Sequence, residues 1–186
     1  DVYKRQGLLT ENYGEARRIN AGSPEPLWTG GFNTELSWRG ISLGIQLEAR
    51  YGNKVLNQDR SLFEADGFYG DSNIWKGAMN YWKKPGDTNV LPKPVYNNSS
   101  NSSAISTRYL EDGSYLRIKD ITLAYSLPSK WTKKALMSGV RIYASALNLY
   151  TFHNMNYWDP EHGTSGATII SYPMTRSMIV GVDITF

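Results

Sequence analysis

The stretch GFNTELSWRGISLGIQLEARY, residues 31–51, decides the fold. Phe32, Thr34, Leu36 and Trp38 share one parity, while Asn33, Glu35, Ser37 and Arg39 hold the other, a period of two that only a β-strand can use. Beyond Gly40 the pattern resumes, with Ile41, Leu43, Ile45, Leu47, Ala49 and Tyr51 alternating against Ser42, Gly44, Gln46, Glu48 and Arg50. Two such alternations separated by Arg39 and Gly40 predict an antiparallel hairpin with strands over 31–39 and 41–51. A slip of one residue would carry Gln46, Glu48 and Arg50 to the apolar side, so the pattern also sets the register.

Downstream, residues 52–113 lack sustained periodicity, hold several prolines and aromatic clusters, and include the Asn/Ser run 97–103. They read as one large loop with a short helix near 72–83. A third strand over 115–127 stops at Pro128, and Ser129 is placed to N-cap a helical turn that carries Lys130, Lys133 and Lys134 and closes at Gly139. A fourth strand covers 140–152, and a loop rich in Asn, Asp and Gly follows over 153–171. The last strand, 172–186, puts Met178, Val180, Val182, Ile184 and Phe186 on one parity against Ser177, Gly181, Asp183 and Thr185, with Ile179 the exception. Two strands are less regular. Arg117 and Lys119 share parity with Ile121, Leu123 and Tyr125, which places them on a solvent extension beyond the apolar band. In the fourth strand Val140, Ile142, Ala144 and Ala146 compete with Tyr143, Leu147 and Leu149 for the apolar face, and the pattern leaves both choices open.

Composition narrows the class. The 186 residues suffice for one domain or for part of a larger one. No apolar run reaches the roughly 18 residues of a spanning helix. The net charge of +3 is small and its basic residues form no stripe, which argues against nucleic-acid binding. The absence of cysteine excludes disulfides and thiolate metal sites. An aromatic content of 13%, weighted to Tyr and Trp, suits side chains that sit between apolar and wet surroundings. His153 and His162 lie near Asp159 and Glu161, yet the spacing matches no tight ligand motif, so no metal is expected. Nothing places Glu111 with Asp112, or Asp159 with Glu161, across a cleft as a glycosidase pair, and no phosphate loop or nucleophile motif occurs. No catalytic residue and no cofactor is assigned, and the chain reads as a non-enzyme.

Strand length and loop asymmetry favour an all-β, antiparallel transmembrane barrel segment of about five strands. Ten residues at ~3.3 Å per residue, tilted ~45°, cover roughly the 25 Å apolar band of an outer-membrane barrel. Connections alternate short, long, short, long, as expected of short periplasmic turns and long outside loops. On that frame Trp38, Tyr125 and Phe186 form a lower aromatic girdle, and Phe32 and Tyr51 an upper one. Glu35, Gln46, Glu48, Arg50 and Asp183 are then expected to face the lumen. Five strands cannot close, and unpaired edges are intolerable in lipid, so further strands are expected upstream. The chain opens on Asp1 without Met or a secretory signal, as expected of a piece of a longer protein. Residues 1–6 fit no pattern and are expected to be a cloning or sequencing scar; 7–29 read as an outside loop leading into the first strand, and 30–186 as the C-terminal part of the barrel.

At the third to fifth strands the residues resemble a known family. Asp112, Gly113, Ser114, Tyr115, Leu116, Arg117, Ile118, Lys119, Asp120 and Ile121, with Leu127 and Pro128, are similar to the near-C-terminal signature of SusC/RagA-type TonB-dependent transporters. Val140 to Ser145, then Asn148, Leu149 and Thr151, the Asp159, Pro160, Glu161 triplet, and Tyr172 with Pro173 extend the resemblance. Upstream, Ser23, Pro24, Glu25, Pro26, then Gly31, Phe32 and the Trp38, Arg39, Gly40 turn match as well. The resemblance implies a plugged barrel of roughly 22 strands in the outer membrane of a Gram-negative bacterium, importing glycans or oligopeptides. It also implies a SusD-like surface lipoprotein as lid and energy from the TonB complex, coupled through segments outside this chain.

Under that resemblance the terminal Val182, Ile184 and Phe186 read as a signal for the barrel assembly machinery. Trp75, Tyr81, Trp82 and Trp158 become candidate contacts to substrate or lid, against the plainer reading that they tie long loops together. Two other classes explain part of the pattern: a soluble carbohydrate-binding β-sandwich, and a porin without TonB coupling. A sandwich would stack segments 31–51 and 172–186 face to face in two layers.

Overall fold

The structure is a computed structural model that describes residues 3–5, 8–10, 12–69, 73–88, 90–98, 103–161, 166–168, 170, 172 and 174–186. In chain order its elements are β1 (Tyr3–Arg5), β2 (Leu8–Thr10), β3 (Trp28–Trp38), β4 (Ile41–Tyr51), β5 (Lys54–Asn57), α1 (Gln58–Phe63), β6 (Leu110–Asp112), β7 (Tyr115–Ser126), α2 (Ser129–Thr132), β8 (Gly139–His153), β9 (Ala167–Thr168) and β10 (Ser177–Thr185). Short 3-10 turns occur at Tyr13–Glu15, Lys76–Met79, Thr107–Tyr109 and Lys133–Ala135. Among the described residues no helix is long and apolar enough to cross a membrane.

The chain divides into two compact units. One, comprising 25–53, 112–161 and 172–186, is built on a single sheet in the order β10-β8-β7-β4-β3 with every neighbour antiparallel. Segments 31–51 and 172–186 thus contribute to one sheet, and the two-layer sandwich is excluded. The β3–β4 hairpin turns at Arg39 and Gly40, with φ of 49° and 87°, the doubly positive conformation of the tight hairpin turn that matches strand twist. A side chain at Gly40 would also meet the Ser126 carbonyl at 2.8 Å.

Cross-strand pairing sorts the side chains into two faces. One face stacks apolar rows: Trp38, Ile41, Tyr125, Ile142 and Val182; then Leu36, Leu43, Leu123, Ala144 and Val180; then Thr34, Ile45, Ile121, Ala146 and Met178. Phe32, Leu47, Ile118 and Tyr150 continue it. The opposite face carries Glu35, Gly44, Thr122 and Ser145, then Asn33, Gln46, Asp120 and Leu147, then Gly31, Glu48, Arg117 and Thr151. Leu36, Leu123 and Val180 are exposed by 61, 53 and 79%, so the apolar face is uncovered within the chain. A soluble monomer rarely leaves so broad a contiguous apolar surface bare.

Several expectations are corrected. Arg117 and Lys119 do not lie on the apolar parity in solvent. Asp120 pairs with Gln46 while Ile118 pairs with Leu47, so Lys119 is an extra residue, a β-bulge that flips the parity of everything before it. Arg117 is therefore on the polar face and 0% exposed. Strand β8 bulges opposite, since Asp120 pairs with Leu147 and Ile118 with Tyr150, and Asn148 takes a φ of 50°. The choice left open in β8 resolves accordingly: Val140, Ile142, Ala144 and Ala146 join the apolar face, Tyr143 and Leu147 the polar one, and Leu149 falls with Asn148 in the bulge. The last strand begins at Ser177 rather than 172, because its ladder with β8 ends where β8 bulges; Asn148 Nδ2 instead donates to the Thr175 carbonyl at 3.2 Å. Other boundaries move by up to three residues: β3 starts at Trp28 and ends at Trp38, β7 ends at Ser126, and β8 spans Gly139–His153. Ser129 is the first helical residue rather than the cap, and the turn closes at Leu136 in the left-handed conformation, φ 58°, while Gly139 already belongs to β8.

The second unit comprises 1–24, 54–111 and 162–171. Its sheet, β6-β5-β9, is small, and β5 and β9 pair in parallel. Residues 3–5 pair with 8–10, so part of the opening segment 1–6 has backbone partners, whereas residues 1, 2 and 6 lie outside the described set. The expected helix near 72–83 is a 3-10 turn at Lys76–Met79, with Ser72 outside the described residues; α1 carries the helix instead, its Asn57 cap accepting from the Arg60 amide at 3.2 Å. Of the run 97–103, residues 99–102 are outside the description.

Candidate functional site: a charged clasp on the polar face

The polar face gathers its charges at the end of the sheet remote from the Arg39–Gly40 turn. Arg117 Nη1 donates to Glu161 and Nη2 to Asp159, a two-pronged clamp on the loop that follows β8. Asp159 also accepts the Glu161 backbone N–H at 2.9 Å, which holds the two carboxylates in register. Pro160 between them is buried and fixes the local backbone. Lys119 Nζ lies 2.9 Å from Glu48 and 3.3 Å from Glu161, bridging wall and loop. Tyr115 donates its hydroxyl to Glu48 at 2.7 Å, and its ring carries the Arg50 and Arg117 guanidiniums at 5.8 and 5.4 Å. Planar, always-charged arginine suits such a fork, and burial makes the pairing mandatory: an unpaired charge there would cost several kcal/mol.

Lower on the same face Asp120 accepts from Thr122 at 2.7 Å and from Ser145 at 2.9 Å, and Arg141 lies 3.4 Å from Asp183. The ring of Tyr143 occupies the space over Gly181, where a Cβ would come within 2.4 Å of it. Glu35, Gln46, Glu48, Arg50 and Asp183 are all carried by polar-face rows, and the structure brings Glu48 and Arg50 together with Tyr115, Arg117 and Lys119. Phe32, Trp38, Tyr51 and Tyr125 stand in apolar-face rows, with Trp28 stacked on Tyr51 at 6.1 Å; Phe186 lies one residue past β10 and is exposed.

Sequence reasoning missed Tyr115, Arg117 and Lys119 as members of this cluster. No local signal marked them, because the alternation on either side of Lys119 is equally regular and only pairing with the neighbouring strands reveals the extra residue.

The candidate aromatic contacts divide between the two units. Trp75, Tyr81 and Trp82 belong to the loop-rich unit, and Trp158 to the sheet unit. Trp75 packs on Phe63 with ring centroids 4.9 Å apart, Tyr81 lies under Lys83 Nζ at 5.4 Å, and Trp82, 38% exposed, is tied by its backbone N–H to the Leu91 carbonyl at 2.8 Å. Trp75 is thus packed within its loop, and Trp82 is partly exposed. The imagined carboxylate pairs are otherwise engaged: Asp159 and Glu161 hold Arg117, Glu111 accepts from Arg60 at 2.7 Å, and Asp112 accepts from the Ser114 hydroxyl at 2.6 Å. Burial lowers the Arg60 pKa, but the hydrogen bonds and ion pairs that it makes to Glu111 and Glu64 outweigh burial and hold the guanidinium above its usual range. Burial pushes the Tyr109 phenol up. Among the described residues no cluster of His, Asp and Glu could hold a metal; His162 lies outside them.

Comparison with known proteins gives a consistent family likeness. No family model matches the chain. Over 182 residues it is 29% identical to TonB-dependent receptor P3 of Formosa agariphila, covering 92% of this chain and 17% of the relative. It is 27% identical to TonB-dependent receptor P26 of the same organism over 180 residues, 89% of this chain and again 17% of the relative. Among solved structures, the RagAB peptide importer in its open-open state superposes with a TM-score of 0.82 at 28% identity, covering 100% of this chain and 20% of that one. Its closed-closed state gives 0.80 at 28% identity over 99% of this chain. The chain therefore spans about a sixth to a fifth of the length of the proteins it matches. The resemblance to SusC/RagA-type TonB-dependent transporters holds in sequence and in fold, and the antiparallel sheet matches a segment of a barrel.

Proposed function

We propose that the chain forms the C-terminal part of the barrel of a TonB-dependent transporter in a Gram-negative outer membrane, which imports oligopeptides. The observation that carries this reading is a single sheet with a continuous uncovered apolar face and a charged opposite face, superposing over its whole length on part of a peptide importer. Lipid would cover the rows from Trp38 to Phe32, and the face bearing Glu35, Gln46, Glu48, Arg50 and Asp183 would line a plugged lumen. Trp38, Tyr125 and Phe186 would sit at one interface and Phe32 and Tyr51 at the other. Val182, Ile184 and Phe186 would present the closing strand to the barrel assembly machinery. A SusD-like lipoprotein would cap the outside, and the TonB complex would act through segments outside this chain. The assignment is to transport and not to catalysis, in keeping with Glu111, Asp159 and Glu161 held in ion pairs and Asp112 hydrogen-bonded to Ser114. Glycan import is the second reading, favoured by the exposed ring of Trp82.

The test is uptake by cells expressing the full-length protein with its partner lipoprotein. Labelled oligopeptides, and not oligosaccharides of matched mass, should accumulate in a TonB-dependent manner; accumulation of the sugars alone would replace the substrate, and accumulation of neither would overturn the import reading.

A further inference from the structure

Between β7 and β8 the chain makes a turn that the transport reading leaves without a role. Residues 129–138, SKWTKKALMS, carry Lys130, Lys133 and Lys134 and no acidic residue, which equals the entire net charge of the chain, +3. All three lysines are exposed, and so are Trp131, by 57%, and Leu136, by 89%. The turn is nonetheless firmly built. Thr132 is 2% exposed and donates its hydroxyl to the Ser129 carbonyl at 3.2 Å, and the Met137 N–H reaches the Thr132 carbonyl at 3.1 Å. Ser138 N–H joins the Thr185 carbonyl at 2.7 Å, and Leu127 N–H joins Val140 at 2.9 Å. Leu136 takes a φ of 58°, a conformation that L side chains rarely adopt, and there it presents a large apolar group outward.

The position of this turn gives those groups a common partner. It lies at the sheet end bearing the Arg39–Gly40 turn, where Ser126 N–H meets the Gly40 carbonyl at 2.7 Å, and directly follows the apolar row of Trp38, Ile41, Tyr125, Ile142 and Val182. An indole and a leucine next to an apolar belt, ringed by lysines whose stems can lie along hydrocarbon, match the chemistry of a bilayer's polar boundary. We infer that the turn over residues 129–138 is an interfacial anchor that binds anionic phospholipid headgroups, with Trp131 and Leu136 seated at the acyl boundary. The inference rests on the membrane-barrel reading above. Each lysine near an anionic surface contributes about fivefold in partitioning.

The chain's lack of cysteine makes a site-specific probe practical. In the full-length protein, with any cysteine elsewhere replaced by serine, Leu136→Cys and Ile142→Cys are each labelled with an environment-sensitive fluorophore and placed in lipid nanodiscs containing headgroup- or acyl-spin-labelled lipid. The position-142 probe tests the membrane reading alone. The position-136 probe should be quenched by headgroup-labelled lipid, at least twofold more in phosphatidylglycerol than in phosphatidylcholine, and this preference should vanish in Lys130→Gln/Lys133→Gln/Lys134→Gln or in 0.5 M salt. The salt arm needs no variant, so a misfolded triple substitution leaves the test intact. Quenching at 142 without quenching at 136, or quenching at 136 indifferent to lipid charge, overturns the anchor while the barrel stands. Absence of quenching at both positions overturns both.

Discussion

Replacing Arg117 with Gln tests whether the clasp holds the loop after β8 against the sheet. The guanidinium is 0% exposed, and its two carboxylate partners are 17 and 27% exposed. Removing one member of a fully buried pair costs about 3–5 kcal/mol. Partial hydration of Asp159 and Glu161 brings the expected loss to the lower end, about 3 kcal/mol, or roughly a hundredfold in the equilibrium for local opening at 1.4 kcal/mol per decade. Hydrogen exchange of the full-length protein in nanodiscs reads this directly, because the Glu161 amide is bonded to Asp159. Amides over 154–161 should exchange about a hundredfold faster in R117Q, while those of β4 stay protected. Lys119→Gln, whose ammonium is 28% exposed, should change the same amides by less than about fivefold, as a half-exposed ion pair contributes about 0.2–1 kcal/mol. Unchanged protection of 154–161 in R117Q, or equal effects of the two substitutions, would refute the clasp.

Three further outcomes follow from the same geometry. Leu43→Arg, on the apolar face, should lower the heat-modifiable folded fraction by an amount corresponding to about 2–4 kcal/mol, whereas Gln46→Arg on the polar face should leave it near wild type on a gel. Gly67→Ala combines a φ of 95° with a Cβ 2.2 Å from the Val95 carbonyl oxygen, so limited proteolysis should cut the 60–98 region several times faster than in the parent. Because burial raises the Tyr109 pKa, its contribution to stability is complete below the unfolded value of about 10 and is lost as pH rises through the folded value. Local unfolding of the loop unit monitored between pH 9 and 12 should therefore show an alkaline loss that Tyr109→Phe removes.

Most of the sheet was legible in the residues. Alternation in 31–51, and in 177–186 apart from Ile179, has a period of two, and a one-residue slip would put charge on the apolar side, so strand existence, facing and hairpin register follow from local pattern alone. The clasp was not legible, because it depends on a single extra residue. Lys119 sits in a strand whose parity before and after it is equally regular, and only pairing with β4 and β8 reveals that the two halves face opposite ways. Trp75 illustrates the same limit in the loop unit: its tilted ring contact with Phe63 joins residues twelve apart with no periodic signal between them.

By itself the sequence determined the strands, the turn at Arg39 and Gly40, and the division of β3, β4 and β10 into an apolar and a polar side, since these depend on side-chain alternation and backbone preference within a few residues. Only the tertiary structure decided that Arg117, Lys119, Asp159 and Glu161 meet, and which side of β8 is apolar. Those outcomes depend on how neighbouring strands register across a bulge, and a buried guanidinium must find its carboxylates wherever the chain can bring them, here more than forty residues away.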